Sequence, residues 1–407
     1  MLRNRIIYVA VLILTVIFAY FCPGMVSSLF FYTVLFIPVA SLLHTVYVYL
    51  RFSYLQEIDK KFITKGEKVC FHVDIVNESK VLYPYVEILF YGVDTIFNKH
   101  FKTKKIAILP HSAGRYDFEL ECQYRGYYEV GLKRIRIKDF LGLFSLSYKV
   151  SEPRYVTVYP RIVALDSFPI STNKLSYVEG MLSHKEEDQL TVSDTRQYAY
   201  GDSIKRIHWK LSAKKGEILV KNYDGAVTVG ATILLDLEKN PYEVMQNTIL
   251  EDKVIEVTVA VIYYCLQHHI KVDFKYHQEE LDTKEASDFS HFEELYRILF
   301  KIKFDSEIAF SNMTRLALEG NFKTNTIVFI TSNLSEKLYS QISRHKEHGF
   351  NMILIYISPE DIAPKNAAKK QEISTILSAL QEINVKAYEI QINDDIKYVL
   401  ESYGLWE

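Results

Sequence analysis

The chain has few cysteines and a small net charge, and these two absences exclude several classes of protein. Four cysteines occur among 407 residues, and none of them forms a CxxC pair. The spacing therefore predicts neither a zinc cluster nor a disulfide framework. The formal net charge is −2, so the chain as a whole gives no electrostatic reason to expect nucleic acid as a partner. Any basic binding site has to be local.

Two motifs of common enzymes are also missing from the sequence. No phosphate-binding Gly-x-x-x-x-Gly-Lys loop occurs, so we expect no nucleotide hydrolysis by this chain. No Gly-x-Ser-x-Gly elbow occurs either, and that elbow is what exposes the nucleophilic serine in many hydrolases. We therefore predict no cofactor and no assembled catalytic centre.

Charge is absent from two long apolar segments near the N-terminus. Residues 6–21 and 25–50 contain no Asp, Glu, Lys or Arg, and each is typical of a helix that crosses a bilayer. A second apolar run follows the first at once, and no small-residue cleavage site separates them, which favours two spans over a cleaved signal peptide. Basic residues lie outside both segments, at Arg3, Arg5, Arg51, Lys60 and Lys61. The positive-inside rule then predicts a two-span cell-membrane protein with cytoplasmic soluble domains.

The segment 53–165 has the period of β-strands. Tyr116, Phe118 and Leu120 alternate with acidic residues in YDFELECQY, and CFHVDIV alternates in the same way. Such alternation is typical of strands with one buried face and one wet face. Short strands separated by turn residues predict an antiparallel β-sandwich-like domain.

After residue 226 the pattern of apolar residues changes, and it predicts strands that alternate with helices. The runs VTVGATILLD, NTIVFITS and NMILIYIS are continuously apolar, as are strands buried on both faces of a sheet. A helix predicted to start near Pro241 carries an apolar stripe, and KNAAKKQEISTILSALQEIN is a second amphipathic helix. This alternation predicts a doubly wound α/β domain over 226–407.

A dense basic and aromatic stretch, RQYAYGDSIKRIHWKLSAKKGEILVK, lies before that domain at residues 196–221. The stretch resembles the signature of the bacterial "domain of unknown function fifty-eight" family. YRGYYEVG, KDFLGLF and VTVYPRI are similar to upstream elements of the same family, although Leu141 stands where the family often has Gly. The positions that carry the signature are Arg196, Tyr198, Gly201, Asp202, Arg206, His208, Trp209, Lys210, Gly216 and Glu217.

The resemblance implies an architecture and a partner. It implies a membrane hairpin at 1–52, a β domain at 53–165, a signature and interdomain segment at 166–225, and a von Willebrand factor type A-like module at 226–407. It also implies a MoxR-type AAA ATPase as partner, and no established reaction.

Type A domains often bind a divalent cation through Asp-x-Ser-x-Ser after their first strand, because oxygen ligands converge there. The corresponding turn here reads Asp236-Leu237-Glu238-Lys239-Asn240, and only Asp236 matches. We interpret the turn as a structural strand-to-helix connection, with a cation site as the alternative. His268, His269 and His277 are interpreted as surface or helix-end residues, because adjacent histidines on a helix point about 100° apart.

The signature stretch leaves three interpretations open. A hydrolase would use His208 as a base oriented by Asp202. The basic residues of 205–221 could instead meet anionic lipid or nucleic acid, although no recognised nucleic-acid-binding module accompanies them. The third interpretation, which we prefer, is a non-enzymatic membrane-anchored adaptor in envelope-related assembly or maturation. There Ile207 and Trp209 bury apolar area, and His208 bonds a carboxylate or carbonyl between the soluble domains.

Overall fold

The computed structural model describes residues 2–91, 103–150, 152–170, 192–198, 207–223, 230–318, 324, 326–347, 350–364 and 367–402. The chain divides into two compact units, Met1–Arg161 and Ile162–Glu407.

The first unit begins with two helices, α1 (Leu2–Phe21) and α2 (Met25–Arg51). Both are long and apolar enough to cross a membrane, which confirms the predicted lengths. Pro23 and Gly24 separate them, since proline and glycine both interrupt helices. Most of their large apolar side chains are exposed, among them Leu14, Leu29, Phe36 and Leu43.

The rest of the first unit is sheet-rich, as the period of two predicts. Among the described residues of this unit, ten strands form three sheets, in the orders β1-β3-β6, β2-β10-β7 and β5-β4-β8-β9. All pairings are antiparallel except that of β10 with β2. The strands are β1 (Ser53–Ile58), β2 (Phe62–Thr64), β3 (Lys68–Asn77), β4 (Tyr83–Phe90), β5 (Lys104–Ile108), β6 (Ser112–Glu121), β7 (Gly126–Val130), β8 (Leu132–Lys138), β9 (Ser145–Lys149) and β10 (Arg154–Tyr159).

Alternate residues of these strands fill a single core. Phe71, Val73 and Ile75 of β3 are fully buried, and they share one cluster with residues of β4, β8 and β10. Val48 of α2 belongs to the same cluster. Because α2 ends at Arg51 and β1 begins at Ser53, the helix enters the β domain without an intervening linker.

The second unit contains a small two-stranded sheet and a large six-stranded one. The small sheet pairs β11 (Val192–Gln197) with β12 (Leu219–Tyr223), and α3 (Trp209–Lys215) lies between them in sequence. The large sheet has the order β15-β14-β13-β16-β17-β18, parallel throughout except for the edge strand β15. Its strands are β13 (Gly230–Leu235), β14 (Lys271–His277), β15 (Leu281–Ala286), β16 (Thr326–Thr331), β17 (Asn351–Ser358) and β18 (Lys386–Gln391).

Helices separate these strands along the chain, which confirms the prediction that an α/β region follows the sheet-rich domain. They are α4 (Val244–Gln267), α5 (Phe292–Lys301), α6 (Phe310–Leu318), α7 (Glu336–Lys346), α8 (Ala367–Glu382) and α9 (Ile396–Glu401). Every residue of β13 and β16 is buried, which explains their unbroken apolar runs. Helix α4 begins three residues after the predicted Pro241, and the segment 162–170 packs on it through Phe168, whose ring centroid lies 5.9 Å from that of Tyr264.

The strand order places a topological switch point in the large sheet. From β13 the chain moves outward to β14 and β15, and it then returns to the other side of β13 with β16. In open parallel sheets, ligands bind outside the carboxyl ends of the strands at such a point. Asp236 follows β13 directly, and Ser332 follows β16.

Candidate functional site

The signature stretch forms a short helix held against a strand. Ile207 is buried and forms a bridge with Val220 of β12. The His208 N–H donates to the Leu219 carbonyl at 2.8 Å, and the Leu219 N–H donates to Ser212 Oγ at 2.9 Å. His208 and Ser212 lie one helical turn apart, so the same side of α3 faces β12 through both residues.

Both ends of α3 are capped. His208 is the N-cap, and its Nδ1 accepts the Leu211 N–H at 3.2 Å. Gly216 ends the helix with a φ of 72°, a left-handed conformation that favours glycine, and its N–H donates to the Ser212 carbonyl at 2.8 Å. The signature therefore encodes a helix with its own start and stop signals.

The cap defines the chemistry of the His208 ring. A neutral imidazole whose Nδ1 accepts a hydrogen bond carries its proton on Nε2, so the ring lone pair that a general base would use is the one that caps α3 in this arrangement. Asp202, which the hydrolase interpretation pairs with His208, lies outside the described residues, as do Gly201 and Arg206. The geometry around His208 is that of a helix cap.

Trp209 lies on the outside of this helix, so its expected burial is wrong. Its side chain is 64% exposed. The physical reason is helical geometry: Trp209 follows the cap by one position, about 100° around the axis from the side that faces β12. Lys210, Lys214 and Lys215 are exposed as well. These four residues, Trp209, Lys210, Lys214 and Lys215, form what we call the Trp209 surface.

The remaining signature residues flank this surface. The backbone of Arg196 in β11 pairs with Val220, and the Tyr198 N–H donates to the Ile218 carbonyl at 2.9 Å. Gln197 Nε2 donates to Glu217 Oε2 at 2.7 Å. Glu217 is thus engaged with its neighbouring strand.

The turn after β13 is the second candidate site. Asp236 is buried, and its Oδ2 accepts Thr331 Oγ1 at 2.6 Å and Asn333 Nδ2 at 3.3 Å. Its Oδ1 accepts the Glu238 N–H at 2.8 Å. The carboxylate is therefore engaged by donors from its own turn and from the end of β16.

The other oxygens of this turn are also used within the protein. Glu238 Oε2 accepts the Phe310 N–H at the start of α6 at 3.1 Å, and Asn240 Oδ1 accepts Ser332 Oγ at 3.3 Å. Among the described residues, no group of three or more His, Cys, Asp or Glu side chains is placed to hold a metal ion. The turn has partners that sequence reasoning missed, because Thr331 and Asn333, which bond Asp236, and Ser332, which bonds Asn240, are more than ninety residues away along the chain.

Burial governs the ionisation of Asp236. Removal from water raises the pKa of this carboxyl to about 7, and the nearby Glu238 charge acts in the same direction. The hydrogen bonds from Thr331, Glu238 and Asn333 favour the charged form and oppose part of this rise. The group therefore changes its charge near neutral pH.

His268, His269 and His277, the three histidines considered above as possible metal ligands, do not form a common site. His268 ends α4, and His269 follows with a φ of 57°; both are exposed, as predicted. The prediction is wrong for His277, which is buried at the end of β14 with its Nδ1 3.3 Å from Ser306 Oγ. Its position in an inner strand, next to the segment that pairs with the Asp236 turn, accounts for the burial.

Comparison with known proteins supports the resemblance over part of the chain. Residues 194–361 match the family described as "Protein of unknown function DUF58", a region that includes the whole signature stretch 196–221. The "Uncharacterized protein YeaD" of Bacillus subtilis (strain 168) is 22% identical over 264 residues, which are 62% of this chain and 62% of that protein. The chain thus matches less than two thirds of the length of this curated relative.

Two solved structures that resemble part of the chain each cover about a quarter of it. The CARDB domain of the PF1109 protein from Pyrococcus furiosus is 14% identical, covers 26% of this chain and 93% of its own, and has a TM-score of 0.18. A beta-glucosidase from Listeria innocua in complex with gluconolactone is 15% identical, covers 26% of this chain and 16% of its own, and has a TM-score of 0.16. Scores this low carry no argument about fold or function.

Proposed function

We propose that this chain is a membrane-anchored, non-enzymatic adaptor that docks a protein partner through the Trp209 surface. The anchor is the pair α1 and α2. Their apolar side chains are exposed along both helices, and burial of apolar area is worth about 25 cal/mol per Å². Lipid is the environment that removes so much apolar surface from water, since a helix that is apolar on all sides is either buried or in a membrane.

The exposed indole of Trp209 is the observation that carries the docking proposal. Large apolar residues that are exposed beside charged ones are typical of protein-binding hot spots, in which tryptophan is enriched. The cap at His208 and the bonds of Ser212 hold α3 against β12, so Trp209 is presented from a fixed support. Little conformational entropy then has to be lost on binding.

The charge of the surface indicates the character of the partner. Lys210, Lys214 and Lys215 are exposed on the same short helix as Trp209, and the described acid Glu217 that follows the helix is bonded to Gln197. An acidic protein surface with an apolar pocket complements this arrangement. The family resemblance implies a MoxR-type AAA ATPase, which would also supply the nucleotide hydrolysis that this chain has no loop to perform. We propose such an ATPase as the partner.

The α/β domain is proposed to be a von Willebrand factor type A-like module with a supporting role in docking. The topological switch point beside Asp236 supports this assignment of the domain, because side chains from the ends of β13 and β16 meet there. The domain keeps its α/β order from β13 to α9, and the signature helix precedes it in the same compact unit.

The test is co-purification from detergent-solubilised membranes. Wild-type chain is expected to enrich an AAA ATPase, identified by mass spectrometry, and Trp209→Ala is expected to weaken its binding by about thirtyfold, as for a hot-spot residue worth roughly 2 kcal/mol. The double variant Lys214→Glu, Lys215→Glu is expected to slow association and to reduce its salt dependence. Tyr398→Ala, an exposed aromatic on α9, is the matched control. Equal recovery of the ATPase by wild type and Trp209→Ala would show that another surface docks it.

A further inference from the structure

The turn between β8 and β9, residues Asp139–Phe144, contacts both N-terminal helices. Asn4 Nδ2 donates to the Leu141 carbonyl at 2.8 Å, and Arg5 Nε donates to the Leu143 carbonyl at 2.9 Å. From α2, Ser41 Oγ donates to Asp139 Oδ2 at 2.8 Å. The KDFLGLF motif of the sequence is therefore one part of the β domain that meets the two N-terminal helices.

These contacts show at which height along α1 and α2 the β8–β9 turn lies, relative to a bilayer that the two helices would cross. From Ile6 to Phe21, α1 is about 24 Å long, and α2 is about 28 Å long from Met25 to Leu43, at 1.5 Å per residue. Both lengths are close to the roughly 30 Å thickness of the hydrocarbon core. The β8–β9 turn meets α1 at residues 4–5 and α2 at residues 41–44. The turn thus lies where the hydrocarbon core ends.

The last two turns of α2 lie beyond this level, with one face packed on the β domain. Thr45 and Val48 are fully buried, and Val48 belongs to the core cluster of the strands. The Tyr49 ring centroid lies 5.3 Å from that of Tyr148 in β9. One face of this stretch therefore packs on the soluble core, whereas Val46, Tyr47 and Leu50 on the other face remain exposed. The β domain begins to cover α2 near Ser41, at the same level as the contacts of the turn with Asn4 and Arg5 of α1.

The turn exposes two apolar side chains at this boundary. Phe140 is 51% exposed and Leu141 is 36% exposed. The Phe140 ring centroid lies 4.7 Å from that of His44 in α2, so the exposed ring continues the surface of the membrane helix. In water these side chains would be an unfavourable addition to the domain surface.

The conformation that presents them is tightly specified. Buried Asp139 accepts the Phe144 N–H at 2.9 Å, and the Gly142 N–H donates to the Asp139 carbonyl at 3.2 Å. Gly142 has a φ of +69°, and a Cβ at this position would lie 2.5 Å from Asn4 Nδ2. Glycine is therefore required both for the backbone angle and for the close approach of α1.

We propose that the β8–β9 turn docks on the phospholipid surface and inserts Phe140 and Leu141 between the headgroups and the acyl chains. The proposal rests on the membrane anchorage proposed above. The lipid is the bilayer that holds α1 and α2, and aromatic and aliphatic side chains at this depth are typical of interfacial segments. The inserted turn, together with the three hydrogen bonds to the helices, fixes the orientation of the β domain on the membrane.

Fluorescence of a single tryptophan tests the docking. Phe140→Trp is made in a chain with Trp209→Phe and Trp406→Phe, and it is reconstituted into phosphatidylcholine vesicles with either brominated or ordinary acyl chains. Its emission is expected to shift to the blue and to fall by roughly half with brominated chains, because interfacial residues lie about 5 to 10 Å into the headgroup and acyl boundary. Tyr127→Trp, an exposed position on β7 in another sheet, is the matched control and is expected to change little.

A third variant separates this inference from the anchorage itself. Phe18→Trp lies on α1 and is expected to be quenched strongly if the helix is in the bilayer. Quenching at Phe18→Trp without quenching at Phe140→Trp would overturn the docking of the turn and leave the anchorage intact. Absence of quenching at both would overturn both proposals. A blue shift at Phe140→Trp that brominated chains do not quench would show that protein covers the ring, and this too would overturn the lipid assignment.

Discussion

Replacing Asp236 with asparagine is expected to remove a pH dependence of stability from the α/β unit. Burial raises the folded-state pKa of Asp236 from 3.8 to about 7. Between these values the folded chain binds the proton and the unfolded chain does not, so folding is favoured by acid. The stabilising contribution is complete below the unfolded pKa and is lost as the pH rises through about 7.

The magnitude follows from the two pKa values. Between pH 5 and pH 8, this one group is expected to remove about 2.5 kcal/mol from the free energy of unfolding, at about 1.36 kcal/mol per pKa unit. In a unit of this size the loss corresponds to a fall in Tm of about 5 to 10 °C. Asparagine does not titrate, and the Asp236→Asn variant keeps every other ionisable group.

The assay is thermal unfolding of both proteins in detergent micelles at several pH values. The quantity of interest is the difference in Tm between wild type and variant, because the titration of all other groups cancels in it. The new side chain of Asp236→Asn has to direct its amide group toward a donor, so the variant is expected to be less stable than wild type at pH 5. The difference should shrink or reverse by pH 8. Asp305→Asn, at an exposed position, controls for removal of a negative charge.

A difference in Tm that stays constant from pH 5 to pH 8 would refute the reasoning, since Asp236 would then not titrate in this range. Such a constant difference is expected if the donors Thr331, Glu238 and Asn333 stabilise the carboxylate enough to hold the folded-state pKa of Asp236 below this range.

Three further outcomes are expected. His208→Ala should lower the free energy of unfolding by about 0.5 to 2 kcal/mol, measured by chemical denaturation, because the α3 cap is lost. His208→Asn should retain most of the stability, since asparagine is also a good N-cap. An unchanged stability together with a lost enzymatic activity would favour the hydrolase interpretation. Gly142→Ala should lower the Tm because of its positive φ and the approach of Asn4, and Asn4→Ala in the same chain should restore part of it; full additivity would contradict the contact. A reporter that is active only outside the cytoplasm should be silent when it is fused to the C-terminus, as the positive-inside rule predicts.

Much of the fold follows from local pattern. The charge-free runs at residues 6–21 and 25–50 correspond to α1 and α2, and the alternation in CFHVDIV and YDFELECQY corresponds to β3 and β6. The continuous apolar runs correspond to β13, β16 and β17. These features are predictable because the side chains of a strand or helix repeat with a fixed period that the burial of one face makes visible.

The sites were less predictable, because their partners are distant in sequence. The bonds of Asp236 to Thr331 and Asn333 join residues 95 and 97 positions apart, and the bond of Asp139 to Ser41 spans 98. No periodicity encodes such pairs. The KDFLGLF motif was visible as a family-like element, but its contact with the anchor was not.

The sequence by itself determined where this protein is apolar on all sides, where it alternates and where its chain turns, because those properties depend on neighbours a few residues away. Only the tertiary structure decided that Trp209 is exposed, that Asp236 is buried with three donors, and that the β8–β9 turn meets the N-terminal helices α1 and α2. The order of the strands and the entry of α2 into the β core bring these groups together or apart. Such placement results from packing over the whole unit, and the local sequence does not carry it.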